Sequence, residues 1–135
     1  MAVSEQTLQR LRELVRVHDD RPELHRRPML DEMDDLGGIP AAAELARSSD
    51  ATDRFVAARL MHLLPDAAHV EPLATLVHDP DARVAAAARR ALHGQRRSAS
   101  WRAVVERLAG DSSDPQLAAA ASGWLAEGIH RGHTL

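Results

Sequence analysis

Large apolar residues recur every three or four positions along most of this chain, with charged residues between them, and that period is helical. From Ser4 to Val17, Leu8, Leu11, Leu14 and Val15 fall on one side, and Ser4 stands where an N-cap belongs. The polar stretch His18 to Arg27 predicts a loop. Pro28 is placed to open a second helix that carries Met29, Leu30, Met33 and Leu36 and stops at Gly37-Gly38. Further helices are predicted over Pro40 to Arg47, Val70 to His78 and Trp101 to Ala109. Each of these precedes an alanine-rich run, and Pro65-Asp66, Gly94 and Gly110-Asp111-Ser112 punctuate the series.

The alanine-rich runs repeat one frame. Asp79-Pro80-Asp81-Ala82-Arg83-Val84 leads into four alanines and ends at Leu92. Asp50 to Phe55 leads into Val56-Ala57-Ala58 and ends at Leu63, and Ser112 to Leu117 leads into four alanines and ends at Leu125. In this frame Phe55, Val84 and Leu117 each precede a leucine by eight positions, about two turns, so each pair shares a face. Asp and Pro before each run supply caps and a pre-set first turn. Ala57, Ala58, Ala87, Ala88, Ala120 and Ala121 let neighbouring helices approach closely. The unit is helix, tight turn, helix, and its recurrence predicts a stack.

The segment Leu76-Val77-His78-Asp79-Pro80-Asp81-Ala82-Arg83-Val84, continued through Ala85 to Leu92, resembles HEAT repeats of the short bacterial kind first associated with phycobilisome lyases. The resemblance covers residues 39–127, best in the middle unit. It implies a short right-handed α-solenoid of HEAT-like hairpins, with repeats at about 39–64, 70–93 and 101–127. Residues 1–38 then form an irregular N-terminal helical cap pair, and residues 128–135 a flexible tail, all in one domain. Val56, Ala85 and Ala118 replace the arginine that follows the valine in the family pattern. Bracing between repeats must therefore come from packing or from Arg54 and Arg83. No lyase activity carries over, since the chain has no cysteine or tetrapyrrole-binding pattern.

Composition narrows the function. Cysteine is absent, which excludes disulfides and thiolate metal sites and fits a reducing, cytoplasmic setting. Glu5, Arg10, Arg12, Glu13 and Arg16 interrupt the first residues, so no signal peptide and no membrane span are expected. Net charge is −3, yet residues 76–110 carry seven arginines against three acids. Such a band suits phosphate neutralisation, though only Trp101 is there to stack on a base. His62, His69, His78 and His93 stand near helix ends, where capping accounts for His78 and His93. His130 and His133 are spaced for one helix face but lack a third ligand. Asp31, Glu32, Asp34 and Asp35 read as a solvated stripe, and Ser48, Ser49, Ser112 and Ser113 as caps. No catalytic, cofactor or metal site is expected.

The surface of interest is the second helix of each unit, which lines the concave side in HEAT-type stacks. Aligning Phe55 with Val84 sets Leu60 opposite Arg89, Met61 opposite Arg90 and Leu64 opposite His93. The expected partner contacts are Leu60, Met61, Arg89, Arg90 and His93, with Arg83, Arg96, Arg97 and Arg102 as a candidate basic patch. The apolar first helix is either covered by the N-terminal cap or left for a partner, and Trp124 either anchors a partner or closes the core. The expected function is a non-enzymatic protein-binding adaptor, regulator or inhibitor. Alternatives are nucleic-acid binding through the arginine band at residues 83–107 and a homo-oligomer that buries the apolar first repeat.

Overall fold

A computed structural model describes residues 3–21 and 26–133, with side chains through Glu127. The described residues are all-α: α1 (Glu5–Asp20), α2 (Arg26–Asp35), α3 (Gly38–Leu45), α4 (Ala51–Leu63), α5 (Val70–Leu76), α6 (Ala82–Gly94), α7 (Trp101–Ala109) and α8 (Pro115–His133). A 3-10 turn, Ala67–His69, precedes α5.

Cap chemistry sets the helix starts. Ser4 accepts from the Thr7 amide, Asp50 from Thr52, and Asp81 from Arg83 and Val84. Asp114 accepts from the Leu117 amide at 3.1 Å and so opens α8. Pro28 and Pro40 lie in the first turns of α2 and α3, where a missing amide hydrogen costs nothing. Gly37 adopts φ +78°, a left-handed turn that glycine takes freely. At Gly38 a Cβ would stand 2.6 Å from a Leu64 methyl and 2.8 Å from the Met33 carbonyl oxygen, so only glycine lets α3 begin there.

Several expected boundaries move; α3 lies two residues earlier than expected, at Gly38–Leu45, and α5 ends at Leu76. α1 runs through His18 to Asp20, because His18 continues the buried stripe of Leu8, Leu11, Leu14 and Val15. α2 starts at Arg26, ahead of Pro28. α8 extends to His133, past the point where a tail was expected. The side chains of His130 and His133 lie outside the described residues.

The helices pack as pairs, α3 with α4, α5 with α6 and α7 with α8. Across pairs, α4 lies along α6 and α5 along α7, while α1 packs on α2 and α4. Buried side chains from all eight helices join one apolar core. Val84 and Leu117 are fully buried, as expected, and so are Ala57, Ala58, Ala88 and Ala121. Phe55 is the exception: it is half-buried, with the Arg83 guanidinium 5.6 Å from its ring centre. Leu60 and Met61 are wholly interior. Each such side chain withdrawn from water is worth about 1.5–3 kcal/mol, so neither is held for a partner.

Polar clamps close the gaps between pairs. Arg54 Nε and Nη2 donate to both carboxylate oxygens of Asp79 at 2.7 and 3.2 Å, and its Nη1 donates to the Ser48 carbonyl. Arg54 thus braces the start of α4 against the loop that precedes α6, as one of the two arginines expected to brace. Asp79 is held below the usual carboxylate range, chiefly by the Arg54 hydrogen bond. At the other end of α4, Pro65 has no amide hydrogen to offer the Met61 carbonyl. The Gln95 side-chain amide supplies it, Nε2 donating to Met61 at 2.9 Å while Oε1 accepts from the Asp66 amide at 3.2 Å. Trp101 Nε1 donates to the Leu92 carbonyl at 2.7 Å, pinning α7 to the end of α6.

Candidate functional site

α4 and α6 are both 13 residues long and both are capped by aspartate, Asp50 and Asp81. The caps fix their true register. They align Ala57, Leu60 and Met61 with Ala88, Ala91 and Leu92, and all six are buried. The register taken from Phe55 and Val84 is therefore two residues off. Arg59 corresponds to Arg90, and His62 to His93. In α8, counted from Asp114, the equivalents are Gly123 and Ala126.

The corrected register explains the surface. α4 and α6 turn Arg59, His62 and Arg90 away from the core and onto an open groove of about 760 Å³, while His93 turns toward α8. Phe55, Leu63, Ala86 and Ala87 give it apolar lining. Arg59, His62, Arg83 and Arg90 line it from α4 and α6, and His18, Asp19 and Arg26 from α1 and α2. Asp19 is the one acid among these, and it is engaged: its Oδ1 accepts from Arg59 Nη2 at 2.7 Å and from Nε at 3.1 Å. Burial pushes the His62 proton affinity down, and the charges of Arg59, Arg90, Arg26 and His18 push it the same way.

Of the five expected contact residues, only Arg90 lines this groove. Leu60 and Met61 are in the core, a correction to their placement on the surface. They point inward because they hold the same register positions as the buried Ala91 and Leu92 of α6, and α1 and α3 pack on α4. Arg89 turns toward α8, donating from Nη2 to Asp114 at 3.3 Å, the N-cap of that helix. His93 stacks on Trp124 with ring centres 5.3 Å apart, and its Nε2 lies 3.2 Å from a Glu127 carboxylate oxygen. Both residues therefore tie α6 to α8.

The arginine band does not assemble as one patch. Arg83 belongs to the groove. Arg96 and Arg97 line a separate depression with Pro65 and Asp66. Arg102 pairs with Glu106 one turn on, and Arg107 with Glu71 of α5. The acidic stripe of α2 also has a local use, since Glu32 accepts from Arg10 of α1 at 2.6 and 2.9 Å. Sequence reading missed His18, Arg26, Arg59 and His62. The Asp50-to-Asp81 cap spacing would have found Arg59 and His62, but His18 was hidden in a segment predicted as loop.

Among the described residues no group of three or more His, Asp or Glu side chains is placed to hold a metal ion, and no helix is long and apolar enough to cross a membrane. Compared with known proteins, the chain matches no protein-family model, no curated protein and no solved structure.

Proposed function

We propose that this chain is a non-enzymatic protein-binding adaptor or regulator, built as a short right-handed stack of HEAT-like hairpins and acting in the cytoplasm. The observation that carries the reading is the groove beside α4 and α6. The equivalent arginines Arg59 and Arg90 stand one helix apart there, with His62 beside them, over apolar lining, while the opposite faces of both helices are buried. A groove with a greasy floor and charged walls offers area to a folded or extended protein segment and specificity through its rim. The absence of cysteine fits the proposed compartment.

The test is capture. The immobilised chain, incubated with lysate of its source cells, is expected to retain a protein that an Arg90→Glu variant of unchanged helicity releases. Retention of the same protein by both forms would remove the groove from the account. Loss of the retained material on nuclease treatment would instead support nucleic-acid binding through the arginines.

A further inference from the structure

His18 is 6% exposed, lines the groove, and neither of its ring nitrogens makes a hydrogen bond among the described residues. Its Nδ1 is 3.6 Å from Asp19 Oδ1, too long to count as one. Both nitrogens are sealed from solvent, so His18 is part of the groove wall rather than a group that bonds a ligand there. The groups beside it are the ones open to a ligand. Arg26 and Arg90 form no ion pair among the described residues, and Arg59 is held in place by Asp19. His62 Nδ1 is sealed without a partner beside Gly94, which leaves its Nε2 as the ring atom that can meet a ligand.

We propose that Arg26, Arg59, His62 and Arg90, with the His18 ring as the wall behind them, form a carboxylate-binding site that receives Asp or Glu side chains from an acidic segment of the partner protein, with proton uptake on binding. This rests on the protein-binding reading above and names the chemistry of what binds. Planar guanidinium groups match carboxylates geometrically, and the apolar lining at Phe55, Leu63 and Ala87 accommodates the aliphatic residues that flank acids in a peptide. A long strand of phosphates fits less well. Past Phe55 and Arg83 the surface continues into a depression that bears Glu13, Asp19 and Asp20 beside Arg12 and Arg16, so a strand of phosphates laid along it meets like charge.

The proton linkage follows from what faces the His62 imidazole: His18 and Asp19 from α1, Arg26 from α2, Arg59 from α4, and Arg83 and Arg90 from α6. Without a ligand, positive charge outweighs the single acid and disfavours a charged His62. A bound carboxylate reverses that balance, so the occupied site holds its proton more tightly and affinity rises as pH falls.

The test is a titration of the chain, labelled with nitrogen-15 in its histidine rings, with hexaglutamate at low salt. The ring signals of His18 and His62 are expected to shift saturably while that of the buried His69 stays put. Affinity is expected to be about tenfold tighter near about pH 6 than near about pH 8. Arg26→Glu and Arg90→Glu, both at exposed positions, are each expected to abolish the shift with helicity intact. Unmoved His18 and His62 rings, or pH-independent binding, would overturn the site. Equal or tighter binding of a dT12 oligonucleotide at the same rings would assign it to nucleic acid. A response to inorganic phosphate alone would assign it to a free anion. If hexaglutamate fails while Arg90→Glu still releases the captured protein, the adaptor reading stands and the carboxylate site falls.

Discussion

At the residue scale, the side chains that matter most are polar ones whose sequence context gave little sign of it. Gln95 follows a helix-ending glycine and reads as loop, yet it is 2% exposed and answers a carbonyl orphaned 34 residues earlier. The signal was there in Pro65, which denies Met61 its helical partner; the identity of the rescuer depends on the fold. Gln95→Ala leaves that carbonyl and the Asp66 amide unpaired, and urea unfolding is expected to show a loss of about 2–3 kcal/mol. His69 is a second case. Its Nε2 pairs with the Leu64 carbonyl at 3.0 Å, and burial pushes its proton affinity below the ordinary histidine value of 6.5, as it does for His62. In this situation the unfolded chain takes up protons that the folded chain refuses. Stability is therefore expected to be constant above about pH 7 and to decline as pH falls below about 6.5. His69→Gln, compared with the parent in urea titrations across that window, is expected to show a shallower decline. An unchanged slope in the variant would show that His69 contributes nothing to it.

At the element scale, helices were legible and their mutual register was not. The caps at Ser4, Asp50 and Asp81 and the stop at Gly37 stand where the sequence puts them, because capping is local chemistry that needs no tertiary partner. The register of α4 against α6 was misread because Phe55 and Val84 were matched by size. Phe55 faces the groove and Val84 the core. Matching the caps would have avoided the slip, since an N-cap fixes the phase of every later position. The Arg54–Asp79 brace was half legible: Arg54 was one of two arginines expected to brace, but its acid lies 25 residues on and across the pair boundary. Asp79 has its proton affinity depressed, so its contribution is full above the ordinary carboxylate value of 3.8 and is lost as pH falls through the depressed value. Asp79→Ala is expected to lower the urea midpoint at neutral pH well beyond the effect of Glu106→Ala, whose ion pair is exposed. The two variants should converge in strong acid, where Asp79 is protonated in the parent as well. Equal midpoints at neutral pH would mean that the brace is not stabilising.

At the scale of the whole molecule, the all-helical composition was readable from periodicity, whereas the placement of α1 and α2 was not. These two helices do more than cover an end. α1 packs on α4, and Arg12 and Asp19 reach across to Asp53 and Arg59, so the N-terminal helices supply one wall of the groove whose other wall is α4 and α6. That is why the site could not be assembled from α3 to α8 alone, and why Leu60 and Met61, expected either under the N-terminal cap or against a partner, are interior. The account rests on this groove as the contact surface. It is tested most directly by titrating the captured partner protein against two charge reversals of equal size, Arg90→Glu inside the groove and Arg97→Glu outside it. The expected result is a loss of affinity of about tenfold or more, about 1.4 kcal/mol, for Arg90→Glu and no change for Arg97→Glu. Equal losses, or a loss confined to Arg97→Glu, would contradict it.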